Sequence, residues 1–213
     1  MIDFQSFLRT GLYASILWSG ASMATAGDGN QIYILQQSPL GLYGGNTLNV
    51  DQSGATGSTV AGDFGTGSSA APAVQDGIGN SGRIDISGIG GQVAFVQSGI
   101  GNDGSVSLSS ALGMASLQQD GNANTASLTV DPLGLSGAVL QVGNGNQADL
   151  SVGAGATGTL VQKGDNNQFG FAVSGAGTTA SYTAIGNNLT PVGTGPVVIS
   201  NGASVTITQT QMQ

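Results

Sequence analysis

The sequence predicts an all-β fold, a two-sided β-solenoid built from strand-turn-strand units. Three observations predict it: a repeat of about 22 residues, alternating apolar and polar residues around a Gly/Asn corner, and a composition with 38 glycines and no Glu. Glycine and frequent Val, Ile and Thr disfavour helix. A fixed period of this length indicates stacked, equivalent rungs, each rung being one strand-turn-strand unit.

The repeat is marked by a glutamine that is followed by Gly two residues later and by Asn five residues later. The first four copies lie 22 residues apart, and the fifth follows after 21. A degenerate copy follows 20 residues further on, with Tyr182 in the glutamine position, then Ala184 and Asn187. The marker residues are Gln75 and Asn80, Gln97 and Asn102, Gln119 and Asn124, Gln141 and Asn146, and Gln162 and Asn167.

Alternation predicts the direction of each side chain, because successive strand residues point to opposite faces. Val93, Phe95 and Gln97 share one face, and Asn102 and Val106 share a face after the corner. The apolar residues are in phase with the glutamine and asparagine, so all of them are predicted to lie inside. The opposite face carries Ser, Thr and Asp and is predicted to meet water.

Stacking explains how amides can be buried at this position. A buried amide without a partner costs on the order of 1 to 3 kcal/mol. If identical residues lie one rung apart, about 4.8 Å, each side-chain amide can donate to one neighbour and accept from the other. The sequence therefore predicts Gln and Asn ladders that are satisfied inside the stack and open at its two ends.

The repeated pattern Gln-x-Gly-x-x-Asn-x-Ala, seen best in residues 119–126 and 141–148, resembles the curlin repeat of bacterial curli subunits. The resemblance covers roughly residues 71–187. It implies a secreted subunit that polymerises into extracellular cross-β amyloid fibres for biofilm matrix and cell adhesion. The implied partners are further copies in a homopolymer, other curli-like subunits (nucleator or major subunit), an outer-membrane secretion pore and periplasmic chaperones.

Some segments depart from this pattern. We interpret Gln36 and Gln52 as the second glutamine that curlin repeats often carry after their second strand. Residues 53–72 are interpreted as either an eroded rung or an excursion, and residues 37–45 as an enlarged corner. In the clearest copies the second glutamine position is aliphatic: Ile86, Leu108, Val130 and Val152.

Four segments follow along the chain. Residues 1–26, with an apolar stretch and a small-x-small site before Gly27, are predicted to be a secretory signal peptide. An uncleaved amphipathic segment is the alternative. Membrane insertion is not expected, because the stretch is too short to span a bilayer. Degenerate repeats and a Gly/Ser-rich segment are assigned to 27–70, curlin-like repeats to 71–187, and a degenerate rung with an edge strand to 188–213.

The last segment alternates without charge or Pro, which is typical of an open edge strand. Val205, Ile207 and Gln209 are predicted to form the edge that templates a neighbouring copy. The alternative function is a soluble, monomeric solenoid that acts as an adhesin or other binding module. Ice binding would favour a flat array of threonines, which the sequence shows only at Thr206, Thr208 and Thr210.

Composition narrows the remaining functions. The formal net charge is −8, with 11 acidic and 3 basic residues, so binding of nucleic acid through its phosphates is not expected. The chain has no His and no Cys, which removes the usual nucleophile systems and zinc ligands. Fragments of oxygen-rich loops lack the full spacing of a calcium site. We therefore expect no enzymatic activity, no cofactor and no metal.

Overall fold

The structure is a computed structural model that describes residues 29–38, 44–64, 71–109, 111–190 and 195–211. The predicted signal peptide, residues 1–26, lies outside the described residues. So do residues 39–43 of the enlarged corner and 65–70 of the segment interpreted as rung or excursion. The described residues contain strands, turns and loops, and no helix.

The strands form two parallel sheets that face each other. The second sheet contains β3 (Thr47–Thr56), β6 (Ser81–Ile89), β8 (Asp103–Leu108), β10 (Thr125–Val130), β12 (Gln147–Val152), β14 (Gln168–Ser174) and β16 (Val197–Ile199). The first sheet contains β1 (Gln31–Ile32), β2 (Ile34–Gln37), β4 (Thr59–Ala61), β5 (Ala73–Ile78), β7 (Gln92–Ile100), β9 (Met114–Asp120), β11 (Ser136–Val142), β13 (Ala156–Lys163), β15 (Thr178–Ile185) and β17 (Ser204–Thr210).

From β5 onwards the chain alternates between the sheets, so one first-sheet strand and one second-sheet strand make a rung. Equivalent residues of successive copies lie side by side: Gln97 pairs with Gln119 in the first sheet, and Ala126 pairs with Ala148 in the second. Each paired strand therefore lies next to the strand one repeat away. The predicted all-β, two-sided solenoid is confirmed.

The core lies between the two sheets and follows the predicted alternation. Phe95 and Leu117 from the first sheet and Val106 and Leu128 from the second are at most 1% exposed. Burial of each such side chain contributes roughly 1.5 to 3 kcal/mol. The interior phase proposed from the sequence is therefore correct, and the polar residues between these positions form the outer faces.

The corners between the two strands of a rung are stacked as regularly as the strands. Gly121 has φ +127° and Ala123 has φ +54°, which reverses the chain within four residues. The backbone N–H of Gly121 donates to the carbonyl of Ser98 in the preceding rung at 3.0 Å, and that of Ala123 donates to Ile100 at 2.8 Å. The sheet hydrogen bonding thus continues around the corner.

The segment 53–72 proves to be both a rung strand and an excursion. Its strand β4 ends at Ala61, which pairs with Ala94, and β5 resumes at Ala73, one residue before Val74 pairs with Val96. Residues 62–72 are therefore an insertion between two adjacent strand positions. The N–H of Gly62 donates to the carbonyl of Ala71 at 2.8 Å, which closes the base of the insertion.

Candidate functional site

The glutamines form a ladder, a column of side-chain amides that are hydrogen-bonded from rung to rung. Gln97 is fully buried, and its Nε2 donates to Gln119 Oε1 at 2.7 Å and to the carbonyl of Ser81 at 2.8 Å. Each glutamine thus also ties the first sheet to the start of a second-sheet strand. The same donation joins Gln75 to Gln97, Gln119 to Gln141 and Gln141 to Gln162, at 2.7, 2.9 and 2.8 Å.

The asparagines form a second ladder just after the corner. Asn102 Oδ1 accepts from the backbone N–H of Asn124 at 3.1 Å and from Asn124 Nδ2 at 3.0 Å. Its own Nδ2 donates to the carbonyls of Ser98 and Gly121, at 3.0 and 2.8 Å. Asn80, Asn146 and Asn167 occupy equivalent buried positions. Among the described residues, every buried side-chain N or O atom has a hydrogen-bond partner.

A third ladder, on the outside of the corner, was missed by the sequence analysis. Asn122 donates from its backbone N–H and its Nδ2 to Asn144 Oδ1, at 3.0 and 3.1 Å. Asn144 makes the same two bonds to Asp165 Oδ1, at 2.7 and 3.1 Å, and the N–H of Asp165 donates to Asn187 Oδ1. These residues stand one position after the first corner glycine of their copies, which is the signal that could have identified the column.

Gln36 does not occupy the position predicted for it. It pairs with Gln75 and donates to Gln75 Oε1, so it is the first glutamine of the main ladder rather than a second glutamine. Gln52 does lie on a second-sheet strand, in the irregular part of β3 between Asp51 and Gly54. It is buried and donates to Ser58 Oγ at 2.9 Å.

The degenerate copy is also shifted from its predicted alignment. Ala184, not Tyr182, pairs with Gln162, because the strands keep the 22-residue register and Tyr182 pairs with Leu160. The marker that keeps register is the corner glycine, Gly186. The glutamine ladder therefore stops at Gln162. The asparagine ladder stops one rung later than Asn146, where the N–H of Leu189 donates to Asn167 Oδ1 at 3.0 Å.

Tyr182 instead connects the last two rows of the first sheet. Its ring packs against Phe169 at a centroid distance of 4.9 Å, and its hydroxyl donates to Gln209 Oε1 at 2.6 Å. Burial raises the pKa of the Tyr182 phenol, since the ionised form loses hydration there. The neutral phenol is thus held as a hydrogen-bond donor to Gln209.

The predicted templating residues Val205, Ile207 and Gln209 lie on β17 and are half-buried. They alternate with exposed residues and extend the inward face of the first sheet by one row. Within the described residues, β17 pairs only with β15, β1 only with β4, and β2 only with β5. The first sheet therefore has one free edge at each end of the stack.

The outer faces carry isolated acidic side chains. Asp76, Asp103, Asp120 and Asp149 are exposed, and Arg83 forms an exposed ion pair with Asp85 at 2.8 Å. Hydrogen bonds from Ser53 lower the pKa of Asp51, with a smaller contribution from the charge of Arg83. Among the described residues, no group of three or more His, Cys, Asp or Glu side chains is placed to hold a metal ion.

No family model, characterised protein or solved structure matches this chain. Among the described residues there is also no helix that is long and apolar enough to cross a membrane.

Proposed function

We propose that this chain is a secreted structural subunit that assembles end to end into extracellular, curli-like functional amyloid fibres for biofilm matrix and cell adhesion. One observation carries the proposal: within the described residues, the outermost first-sheet strands are free on one side and carry no charge or Pro. Such edges are templates for pairing with another chain, and natural proteins usually block them. The partners expected from the curlin resemblance are unchanged.

The interior supports the same function. Parallel strands with identical residues in register, and ladders of Gln and Asn, are the features that give cross-β assemblies their stability. Addition of a further copy would continue both the sheet hydrogen bonds and the core. Because the ten ladder residues already have partners within one chain, we expect their contribution to be mainly to the stability of each subunit.

Purified residues 27–213 in dilute buffer provide the test, with thioflavin T fluorescence, electron microscopy and fibre diffraction. We expect fibres after a lag that seeds abolish, with reflections near 4.7 and 10 Å. A protein that stays monomeric, rich in β-structure and cooperative in melting would refute the proposal.

Two deletions of equal length locate the edge that matters. Removal of residues 203–213 takes away β17, whereas removal of 62–72 takes away only the insertion and joins Ala61 to Ala73. We expect the first deletion to slow elongation more than the second. The reverse result would place the templating edge elsewhere.

A binding module is the second candidate, and one observation favours it. The outer face of the last first-sheet rows carries more hydroxyls than the sequence suggested, since Thr157 pairs with Thr179 and Thr179 with Ser204. Thr159, Ser181 and Thr206 form the adjacent column. Thr159→Val with Ser181→Val should abolish surface binding if this face is the site, and should leave fibre growth unchanged if it is not.

A further inference from the structure

We propose a specific joint between copies: β17 of one subunit pairs in parallel with β1 and β2 of the next, with Gln209 level with Gln36. This inference rests on the proposed function, because it describes how two copies meet. It is argued from the register of the first sheet, from the direction of the glutamine ladder and from the side chains at the two free edges.

Register fixes which residues would face each other. Gln36 pairs with Gln75, and the same height continues through the ladder to Ala184, which pairs with Gln209. Gln36 and Gln209 therefore occupy the same position in the first and last rows. A second copy that continues the stack places Ile207 against Ile34 and Thr208 against Leu35.

The ladder gives the joint a direction. Each glutamine donates its Nε2 toward the C-terminal row, as Gln97 does to Gln119 at 2.7 Å. At the N-terminal end Gln36 donates to Gln75, and no described residue donates to Gln36 Oε1. At the C-terminal end Gln209 Oε1 accepts from Tyr182, and no described residue accepts from Gln209 Nε2.

An open donor at one end therefore meets an open acceptor at the other. Head-to-tail contact allows Gln209 Nε2 to donate to Gln36 Oε1 of the next copy. Contact between two C-terminal ends would bring donor to donor, and contact between two N-terminal ends would bring acceptor to acceptor. Tyr182 is a positioning residue here, because its hydroxyl holds the Gln209 oxygen and turns the amide nitrogen outward.

The edges also match in polarity. Ile207 and Ile34 are both half-buried in the single chain, so each gains cover when a second row is added. Neither edge strand carries a charge that would oppose the contact. The joint spans the first sheet only, since the described residues give eight rows there and seven strands in the second sheet. Across it, β16 and β3 of the next copy lie two strand spacings apart, about 9.6 Å.

Cysteine cross-linking tests the register directly, since the chain has no cysteine of its own. Leu35→Cys with Thr208→Cys places two outward thiols about 4.8 Å apart across the proposed joint, within reach of a disulfide. Inside one chain they lie roughly 34 Å apart, seven strand spacings, so any bond between them joins two copies. Mild oxidation of fibres should give a ladder of multimers in SDS that reductant abolishes.

Two control pairs distinguish other joints. Leu35→Cys with Thr206→Cys is offset by two residues, about 8 Å, and should not cross-link. Asp51→Cys with Val197→Cys should also fail, because these residues meet only if β16 lies directly against β3 of the next copy. Bonds at either control pair, with none between 35 and 208, would overturn the joint while leaving the polymer intact. Absence of fibres in the unsubstituted protein would overturn both proposals.

The ladder contact has its own test. Gln209→Leu keeps an apolar inward side chain and removes one amide bond, so the concentration of soluble protein left at the end of assembly should rise about fivefold. Gln118→Leu is the matched control, because Gln118 is exposed in the middle of the stack, and its effect should be negligible. Equal behaviour of the two variants would overturn the role of the ladder in the joint.

Discussion

Substitution of Gly121 by Ala tests whether the corners are rigid parts of the stack. Gly121 has φ +127°, and a Cβ there would lie 2.0 Å from the carbonyl oxygen of Gly143 in the next corner. That oxygen belongs to backbone that is itself hydrogen-bonded to its neighbours, so it cannot move aside alone. Gly101 is the matched control: it has φ +67°, and a Cβ there would meet nothing within 4 Å.

The two substitutions differ in their expected cost. A non-glycine residue held in such a strained conformation costs roughly 1 to 3 kcal/mol. Displacement of the Gly143 corner also weakens one or two rung-to-rung hydrogen bonds, at about 1 kcal/mol each. We therefore expect Gly121→Ala to lower the free energy of unfolding by roughly 3 to 5 kcal/mol. For Gly101→Ala, a left-handed cost of about 1 to 2 kcal/mol is partly offset by reduced unfolded-state entropy.

Urea unfolding of freshly purified residues 27–213, followed by circular dichroism before fibres appear, measures both costs. Amide exchange adds position, because repeat proteins can unfold in part. Gly121→Ala should reduce protection in β7 to β12 most, whereas Gly101→Ala should change it little. If the two variants lose the same stability, the corner relaxes freely and the reasoning from its close contact is wrong.

Three further predictions concern the ladders. Gln119→Ala should lower the free energy of unfolding by roughly 2 to 4 kcal/mol, because it leaves a cavity and takes the donor from Gln141 Oε1; urea unfolding measures it. Asp165→Asn should raise that free energy by about 0.5 to 1 kcal/mol, because the amide adds a donor toward Asn187 Oδ1; a loss would contradict the alignment of the outer ladder. The raised pKa of Tyr182 means that its stabilisation is complete below the unfolded value near pH 10 and is lost as pH rises through the folded pKa. Alkaline titration should therefore loosen β17, as seen by amide exchange extrapolated across pH, and Tyr182→Phe should remove this dependence.

The repeat made most of the fold predictable. A constant spacing fixes register between neighbouring strands, and alternation then decides the face of every residue, as for Phe95 and Gln97. Both steps use local pattern alone, so no long-range information was needed. The two glutamine and asparagine columns followed because a buried amide requires a partner and the repeat supplies an identical one.

The sequence was less informative where the repeat erodes. Tyr182 was aligned with the glutamines because it is large and polar, whereas register is kept by Gly186, the first glycine of its corner. This glycine cannot be replaced without a backbone clash, so it is the more reliable marker. The outer column of Asn122 and Asn144 was overlooked because exposed turn residues have an adequate local explanation and need no partner one rung away.

The two inner ladders differ in how they end, and that difference determines what two copies could recognise in each other. Glutamine Nε2 groups donate toward the C-terminal row, whereas asparagine Nδ2 groups donate toward the N-terminal row, as from Asn124 to Asn102. The asparagine column is closed by the backbone N–H of Leu189 and does not reach β17. Only the glutamine column has a member in the last row, Gln209. If the proposed joint forms, its direction therefore depends on one amide at each end.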